Sequence, residues 1–461
     1  MKALALTLSI IFILQLPCFD FTAQEMVKRE RQIEDCNFLN CRLPLCKCSN
    51  PERPGNIQYD DTPMMVSLSF NGVLTTAHSP YIKKILNPLF KNPNGCPIQS
   101  TFFISDSGNG TTDYCFVQTL FNNNNEISVS SPKYSCPYTD CDSLGQYFRK
   151  WRDDSAEENI FQQKKNIASK AKINKSFLRG FRVPFLDQRG NVHYKALKKY
   201  AFNYDSSVII SPDDIKRHDG LRLWPHTLDF PANYTCPTCP TKKSLCNGQS
   251  NCSMSSVWIV PLHYFNIEGK NPCPTLIKDE IPENRLLTKS CYPKNALNSS
   301  ILYDFLISDF KRHYTTNKAP FVINLELSWF DKFGDMLTDA LVDFITELTD
   351  VKSSKTVQKS DVYFMPISRI IEWIEYPAPL SVIASKWLWD CDGVSFDYDE
   401  ECESIKKLRE NSIELEEVKK KNKTAKFDLQ TEQLFRNGIL SSVILVFVFS
   451  IIFTILYDKY H

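Results

Sequence analysis

The chain reads as an α/β protein: a distorted (β/α) barrel with a small disulfide-rich N-terminal cap and a single C-terminal transmembrane helix. Three observations predict this. From about residue 54 to 402, short β-prone runs alternate with longer polar–apolar segments, the pattern of parallel strands joined by helices. Residues 36–48, CNFLNCRLPLCKC, are too few to hold a core and dense in cysteine, so covalent staples must hold them. Residues 438–457 are uncharged and apolar, and their length matches a hydrocarbon layer of about 30 Å.

At the N-terminus, Met1-Lys2 is a short basic start and Ala3–Leu16 an apolar run, so residues 1–23 read as a secretory signal. An uncleaved anchor is the competing reading; the run is short for a span. Residues 24–53 form a polar lead and the cysteine-rich cap.

The barrel domain is assigned to residues 54–402. Its organising stretch is Pro63–Val73, PMMVSLSFNGV, where an apolar strand ends at the polar pair Asn71-Gly72. Such strand ends carry the chemistry of β/α barrels. Here the end has no acid, no base and no metal ligand. Strands are expected at Met64–Phe70, Thr101–Ile104, Glu126–Val129, Gly180–Val183, Trp258–Pro261, Phe321–Leu327 and Val362–Met365. Helices are expected at Pro80–Phe90, Asp142–Trp151, Glu158–Asn174, Ile301–Tyr314 and Asp335–Thr349.

Residues 403–437 are charged and Gly-poor, with mixed acids and bases such as Glu416, Glu417 and Lys419, and suit a solvated stalk. Gly438–Tyr457 then reads as the transmembrane helix, bracketed by Arg436 and Lys459, with Asp458–His461 as a cytoplasmic tail. The expectation is a single-pass type I protein at the cell surface. A GPI signal competes, but the chain ends in charged and polar residues.

Cysteine usage agrees with an extracellular ectodomain. Of 17 cysteines, Cys18 lies in the signal, and the even remainder argues for disulfides whose pairing is open. Cys236, Cys239, Cys246 and Cys252 have zinc-ribbon spacing, a weaker reading in an oxidising compartment. Glycosylation sequons stand at Asn109, Asn174, Asn233, Asn251, Asn298 and Asn422. A net charge of +1, from 54 basic and 53 acidic residues, provides no field for nucleic acid, so that class is set aside.

Several stretches, in order, resemble the polysaccharide deacetylase (NodB, carbohydrate esterase family 4) domain in its animal chitin-deacetylase-like form. They are Cys41–Cys48 (CRLPLCKC), Thr62–Val73 (TPMMVSLSFNGV), Asn92–Phe103 (NPNGCPIQSTFF) and Asn125–Tyr134 (NEISVSSPKY). Arg182–Phe185 (RVPF), Tyr204–Ser207 (YDSS), Leu223–Asp229 (LWPHTLD), His313–Phe330 and Asp361–Leu380 follow. The resemblance covers roughly residues 36–395 and implies the family's barrel.

The resemblance also implies a demand on residues. The family's site holds zinc or another divalent metal with one carboxylate and two imidazoles, uses a second carboxylate as base, and protonates the leaving amine with a histidine. At the positions that match, this chain has Asn71 for the base, Gly72 for the metal carboxylate, Ser130 and Tyr134 for the imidazoles, and Glu326 for the acid. An amide cannot take up a proton near neutral pH, and glycine offers no ligand. Loss of the metal forfeits the fall of water's pKa from 15.7 to about 7. A missing acid–base group costs a further factor of ~10²–10⁴. No cofactor is therefore expected. A relocated metal site is conceivable around Glu126, Asp140 and Asp142, which lack paired imidazoles. The matching arginine is Arg182, left without its usual carboxylate; Glu326, Asp229, a ligand anion or neutral oxygens could meet it. Trp224, Thr227 and Asp229 are candidates for a ligand groove, with plain packing as the alternative.

The function expected is a cell-surface, chitin deacetylase-like pseudoenzyme that binds a chitin-like or other N-acetylated glycan, or an extracellular matrix partner. Two alternatives stay open: an active metal-dependent polysaccharide deacetylase of carbohydrate metabolism, and a protein-binding receptor or adhesion module on an inert barrel.

Overall fold

A computed structural model describes residues 36–106, 112–130, 153–183, 186, 191–230, 254–265, 298–349, 361–383 and 389–391. The strands are β1 (Met64–Gly72), β2 (Thr101–Ile104), β3 (Glu126–Ser130), β4 (Gly180–Arg182), β5 (Tyr204–Asp205), β6 (Ile209–Ile210), β7 (His226–Leu228), β8 (Met254–Ile259), β9 (Leu262–His263), β10 (Phe321–Glu326) and β11 (Val362–Phe364). Nine of them form one curled sheet in the order β10-β1-β2-β3-β4-β5-β8-β7, with β11 also paired to β1. All pairings in that sheet are parallel except β7 with β8. Strands β6 and β9 make a separate parallel pair. Among the described residues the sheet stays an open half-barrel rather than a closed ring.

The helices are α1 (Ser79–Ile85), α2 (Tyr114–Asn122), α3 (Asp153–Lys170), α4 (Asn191–Lys199), α5 (Pro212–Arg217), α6 (Ser299–Tyr314), α7 (Phe330–Thr349), α8 (Ile367–Glu375) and α9 (Leu380–Ile383). Helix α1 ends well before Phe90, where the sequence pattern placed its end, because Asn87-Pro88 cannot continue it. Helix α7 starts at Phe330 rather than Asp335 and is kinked at Phe333. Strand β8 runs Met254–Ile259, earlier than Trp258–Pro261, since Pro261 has no N–H for a ladder. The helix expected at Asp142–Trp151 lies outside the described residues.

Period-two alternation sorts each strand between two cores. In β1, Met64, Val66, Leu68 and Phe70 join the large cluster under the helices. Met65 joins a second cluster with Phe103, Tyr204, Trp224, Trp258 and Tyr363, on the concave side. The remaining alternate positions of β1, Ser67, Ser69 and Asn71, are polar and fully buried. The same split gives β3 an apolar face (Ile127, Val129) and a polar one (Glu126, Ser128, Ser130). In β10 it separates Phe321, Ile323 and Leu325 from Asn324 and Glu326. The concave side is thus apolar at some levels and lined with hydroxyls, amides and carboxyls at others.

Two disulfides, Cys36–Cys48 and Cys41–Cys46, staple the cap. It is clamped to β7: the Thr227 N–H donates to the Lys47 carbonyl (3.0 Å), and the Lys47 N–H to Thr227 Oγ1 (3.2 Å). A third disulfide, Cys96–Cys391, joins the loop leading into β2 to residues 295 positions later. No helix among the described residues is long and apolar enough to cross a membrane. Gly438–Tyr457, the stalk at 403–437, the signal at 1–23 and the zinc-ribbon cysteines all lie outside the described residues.

Candidate functional site

Parallel register brings Asn71, the penultimate residue of β1, opposite Glu326, the last residue of β10. Two positions back it sets Ser69 opposite Asn324. On the far side of the half-barrel, Ser130 of β3 stands opposite Arg182 of β4. These residues occupy the C-terminal ends of parallel strands, where side chains from separate strands can converge.

They form one buried network. Asn71 Nδ2 donates to both carboxylate oxygens of Glu326, at 3.0 and 3.2 Å. Asn324 Nδ2 donates to Glu326 Oε1 at 3.0 Å. The carbonyl oxygen of that Asn324 amide accepts from Arg182 Nη1 at 2.8 Å. Arg182 Nη1 also reaches Ser69 Oγ (2.9 Å), while Nε and Nη2 donate to the carbonyl and hydroxyl of Ser206 (2.7 and 2.8 Å). Ser69 Oγ passes its proton to the Ile323 carbonyl (2.7 Å), and Ser130 Oγ donates to the Arg182 carbonyl (3.1 Å). The guanidinium lies 4.1 Å from the centre of the Phe103 ring, a cation–π contact. Asn324 therefore bridges Glu326 and Arg182: a negative and a positive group are coupled through one amide.

One atom in this network is orphaned. Asn71 is fully buried, and its Oδ1 has no hydrogen-bond partner. Reversing the amide would turn Oδ1 toward a carboxylate, so the contacts themselves fix its orientation.

A second polar cluster sits at the start of β3. Glu126 accepts from Tyr204 Oη (2.8 Å), Ser128 Oγ (3.1 Å), Thr101 Oγ1 (3.0 Å) and the Ser368 N–H (2.9 Å). Burial pushes its carboxyl above the ordinary range against those four donors. Burial and the neighbouring Glu126 push the Tyr204 phenol well up. Glu126 is spent on structural contacts at the opposite end of the sheet from Glu326; Asp140 and Asp142 lie outside the described residues.

Of the remaining sequence-derived candidates, Gly72 adopts φ +124°, a conformation side chains rarely tolerate, and a Cβ there would stand 3.7 Å from Leu327 Cβ. Tyr134 lies outside the described residues. Trp224 is fully buried, its ring 6.0 Å from Trp373; its backbone N–H donates to the Asn50 carbonyl (3.3 Å), while its indole N–H has no partner among the described residues. Thr227 is tied to Lys47 of the cap. These two are packed beneath the cap rather than lining an open groove. Asp229 follows β7 and has one buried carboxylate oxygen without a partner. Asn174 and Asn298 are exposed, whereas Asn109, Asn233, Asn251 and Asn422 lie outside the described residues.

Sequence reasoning missed Ser69, Ser206 and Asn324, which carry the Arg182 contacts. The alternation of serines with apolar residues in β1 was the available signal. It also missed His78, whose Nδ1 accepts from the Thr75 N–H and whose Nε2 meets Asp331 Oδ1 at 2.9 Å. That contact ties the loop after β1 to the first turn of α7.

The donors assembled at the strand ends do not fit a divalent metal. Among the described residues they offer the Glu326 carboxylate, already holding the Asn71 and Asn324 amides, three serine hydroxyls and a guanidinium. Among the described residues, the one group of three ligating side chains close enough to share an ion is Cys36, Cys41 and Cys48, all in disulfides.

No protein-family model matches the chain. Among curated proteins it is 25% identical over 351 residues to chitin deacetylase 8 of Bombyx mori, covering 75% of this chain and 79% of that protein. It is 26% identical over 351 residues to chitin deacetylase 1 of Bombyx mori, covering 74% of this chain and 57% of that protein. Among solved structures, the Xyl-CE4 domain of a multidomain xylanase from the hindgut metagenome of Trinervitermes trinervoides aligns at 10% identity and a TM-score of 0.34, over 68% of this chain and 91% of that domain. The chitin deacetylase of Colletotrichum lindemuthianum aligns at 11% identity and a TM-score of 0.26, over 58% of this chain and 88% of that chain.

Proposed function

We infer from the polysaccharide deacetylase-like (NodB-like) domain of this chain, a relative of the chitin deacetylases, that it is a non-catalytic, cell-surface member of that group. It binds an N-acetylated glycan or a matrix partner at the strand ends of its half-barrel. The observation that carries the reading is the Asn71–Glu326–Asn324–Arg182 network. Deacetylation in such a site needs a nucleophilic water, a base near neutral pH and charge stabilisation at the acetyl oxygen. Asn71 cannot serve as base, and Glu326 is engaged by two amides. No group in this network supplies the electrophile that a metal would.

The cellular setting is part of the same proposal. Residues 1–23 act as a signal, 54–402 as the ectodomain's main unit, and 438–457 as the membrane span of a type I protein. Three disulfides among the described cysteines support an oxidising compartment.

The test is one preparation of the full-length chain, assayed for both metal and chemistry. The expected result is no stoichiometric transition metal, no acetate release from N-acetylglucosamine oligomers, and retention on a chitin-type glycan. Bound zinc or cobalt with acetate release would establish an active deacetylase instead. Glycan indifference would leave the protein-binding reading.

A further inference from the structure

The two disulfides of the cap, both within residues 36–48, lie against each other. The Sγ atoms of Cys36, Cys41 and Cys48 are all within 4.8 Å of one another. Cys41 Sγ therefore sits within 4.8 Å of both sulfurs of the Cys36–Cys48 bridge, while it is itself bonded to Cys46. The two bridges differ in access. Cys36 and Cys48 are half-buried, whereas Cys41 and Cys46 are buried, at 7% and 9% exposure. A thiolate arriving from solvent meets the outer bridge, Cys36–Cys48, first.

The inner bridge, Cys41–Cys46, has a hydroxyl beside the sulfur that would leave. Thr227 Oγ1 stands 3.5 Å from Cys46 Sγ, in position to donate to it; its other acceptor within reach is the Lys47 carbonyl, also at 3.5 Å. A departing sulfur that is stabilised as thiolate leaves faster. Cys46 also sits where the cap meets the domain. Lys47, the next residue, exchanges two hydrogen bonds with Thr227 of β7, and the Trp224 N–H donates to the Asn50 carbonyl a few residues on. A change of state at Cys46 is thus made directly at the clamp.

We propose that the cap is a site of thiol–disulfide exchange, in which the outer bridge relays attack by a dithiol reductant to the inner one. The dithiol supplies two electrons. Its first thiolate forms a mixed disulfide with one sulfur of Cys36–Cys48 and releases the other as a thiolate. Its second thiolate closes the reductant's own disulfide and frees both cysteines. One of these, as thiolate, then attacks Cys41 Sγ. A bond forms from Cys41 to Cys36 or Cys48, the Cys41–Cys46 bond breaks, and Cys46 leaves as a thiolate that takes a proton from water. This second step moves a bridge and consumes no electrons. The cap keeps one disulfide, and Cys46 is set free beside Thr227.

Limited reduction of the full-length chain with dithiothreitol tests it, followed by acid quench, alkylation and mass-spectrometric mapping of the cap. The expected product has Cys41 joined to Cys36 or Cys48, with Cys46 alkylated. A thiolate on the same short segment counts as millimolar, on the order of ten times more than dithiothreitol supplied at about 0.1 mM. In the double variant Cys36→Ser with Cys48→Ser the relay is gone, so Cys41–Cys46 is expected to open about tenfold more slowly than in the unmutated chain. Bridges that only staple the cap predict the reverse, since losing one staple loosens the segment around the other. If the double variant fails to fold, mapping of the unmutated chain decides alone. Native pairs and free thiols without the cross-joined form overturn the proposal. Equal or faster opening of Cys41–Cys46 in the variant overturns it too, as does a cap that resists the dithiol altogether.

Discussion

Asn71 holds both oxygens of Glu326 from across the first strand pair of the sheet, at 3.0 and 3.2 Å. Their Cα atoms are register partners, so the contact is set by the ladder and not by loop conformation. A site built on strands keeps its geometry because backbone hydrogen bonds on both sides hold it. The contact also engages the Glu326 carboxylate, which Asn324 holds from its other side.

Arg182 is the cation on which the network depends. Arg182→Met is expected to lose about 3–5 kcal/mol of stability, because Ser206, Ser69 and Asn324 would keep buried acceptors with no donor. Arg182→Lys restores the charge but not the planar fork that reaches three residues at once, and should recover only part of the loss. Urea unfolding of the three proteins measures both differences; equal stability of all three would refute the assignment.

Two glycines separate backbone constraint from space. Gly72→Ala has room but must adopt φ +124°, so a loss of about 1–2 kcal/mol is expected. Gly180→Ala meets the opposite problem. A Cβ there overlaps the Tyr204 ring and crowds Ser128 Oγ, disturbing the Glu126 cluster. The larger loss is expected at Gly180, read as a lower unfolding midpoint than for Gly72→Ala. The strain at Gly72 would burden an aspartate equally, so Asn71→Asp with Gly72→Asp should not regain a metal site without loss of stability.

Acid should destabilise the fold through buried histidines. Burial pushes His226 down to about 4 and His263 down to about 3, from 6.5. His313 is pushed well below 6.5 by burial, Arg222 and its neighbour His263, whose ring centre is 5.1 Å away. Each is neutral when folded and takes a proton when unfolded, so stability is full above 6.5 and falls as pH drops toward the folded values. The slope is roughly 1.4 kcal/mol per pH unit for each histidine. Glu126 works in the opposite direction, since its folded pKa is raised and acid favours the folded form. Burial raises Glu375 as well and lowers His218, so four histidines stand against two carboxyls, and a net loss in acid is expected. Urea midpoints measured across that range check the sign, and His263→Gln should flatten the slope by about one proton's worth.

Glycan attachment can be tested without disturbing the local fold. Asn174 Oδ1 accepts from the Ser176 N–H and Asn298 Oδ1 from the Ile301 N–H, so each caps a helical turn while Nδ2 remains for a sugar. Ser176→Ala and Ser300→Ala remove the sequons and keep the caps. Each is expected to produce one step of increased gel mobility in protein made through the secretory pathway. No step at either position would show that it is unmodified.

The polar–apolar alternation of β1 and β10 was open to reading from residue order alone, as was the identity of the residues at the strand ends. The long strands and most helices followed from β-prone runs that alternate with longer polar–apolar segments. Strands of two or three residues, such as β5, β6, β7 and β9, carry too few side chains to show a period. Arg182 illustrates a deeper limit. Its type and place near the site were apparent, yet its partners come from β1, β10 and the loop after β5, and only the curl of the sheet brings these together. Trp224 is a groove candidate only through the family resemblance, with plain packing as the alternative, and its sequence neighbours say nothing about the cap that covers it.

The Cys96–Cys391 bridge pins residue 391 beside the loop that enters β2, whereas Glu326 closes β10 at the other pole of the same parallel sheet. Whatever continues past residue 391 therefore sets out from the pole remote from Asn71. A pull applied at that exit would load a covalent bond before it reached β1, and the Asn71–Glu326 contact would sit at the end of the sheet away from the force.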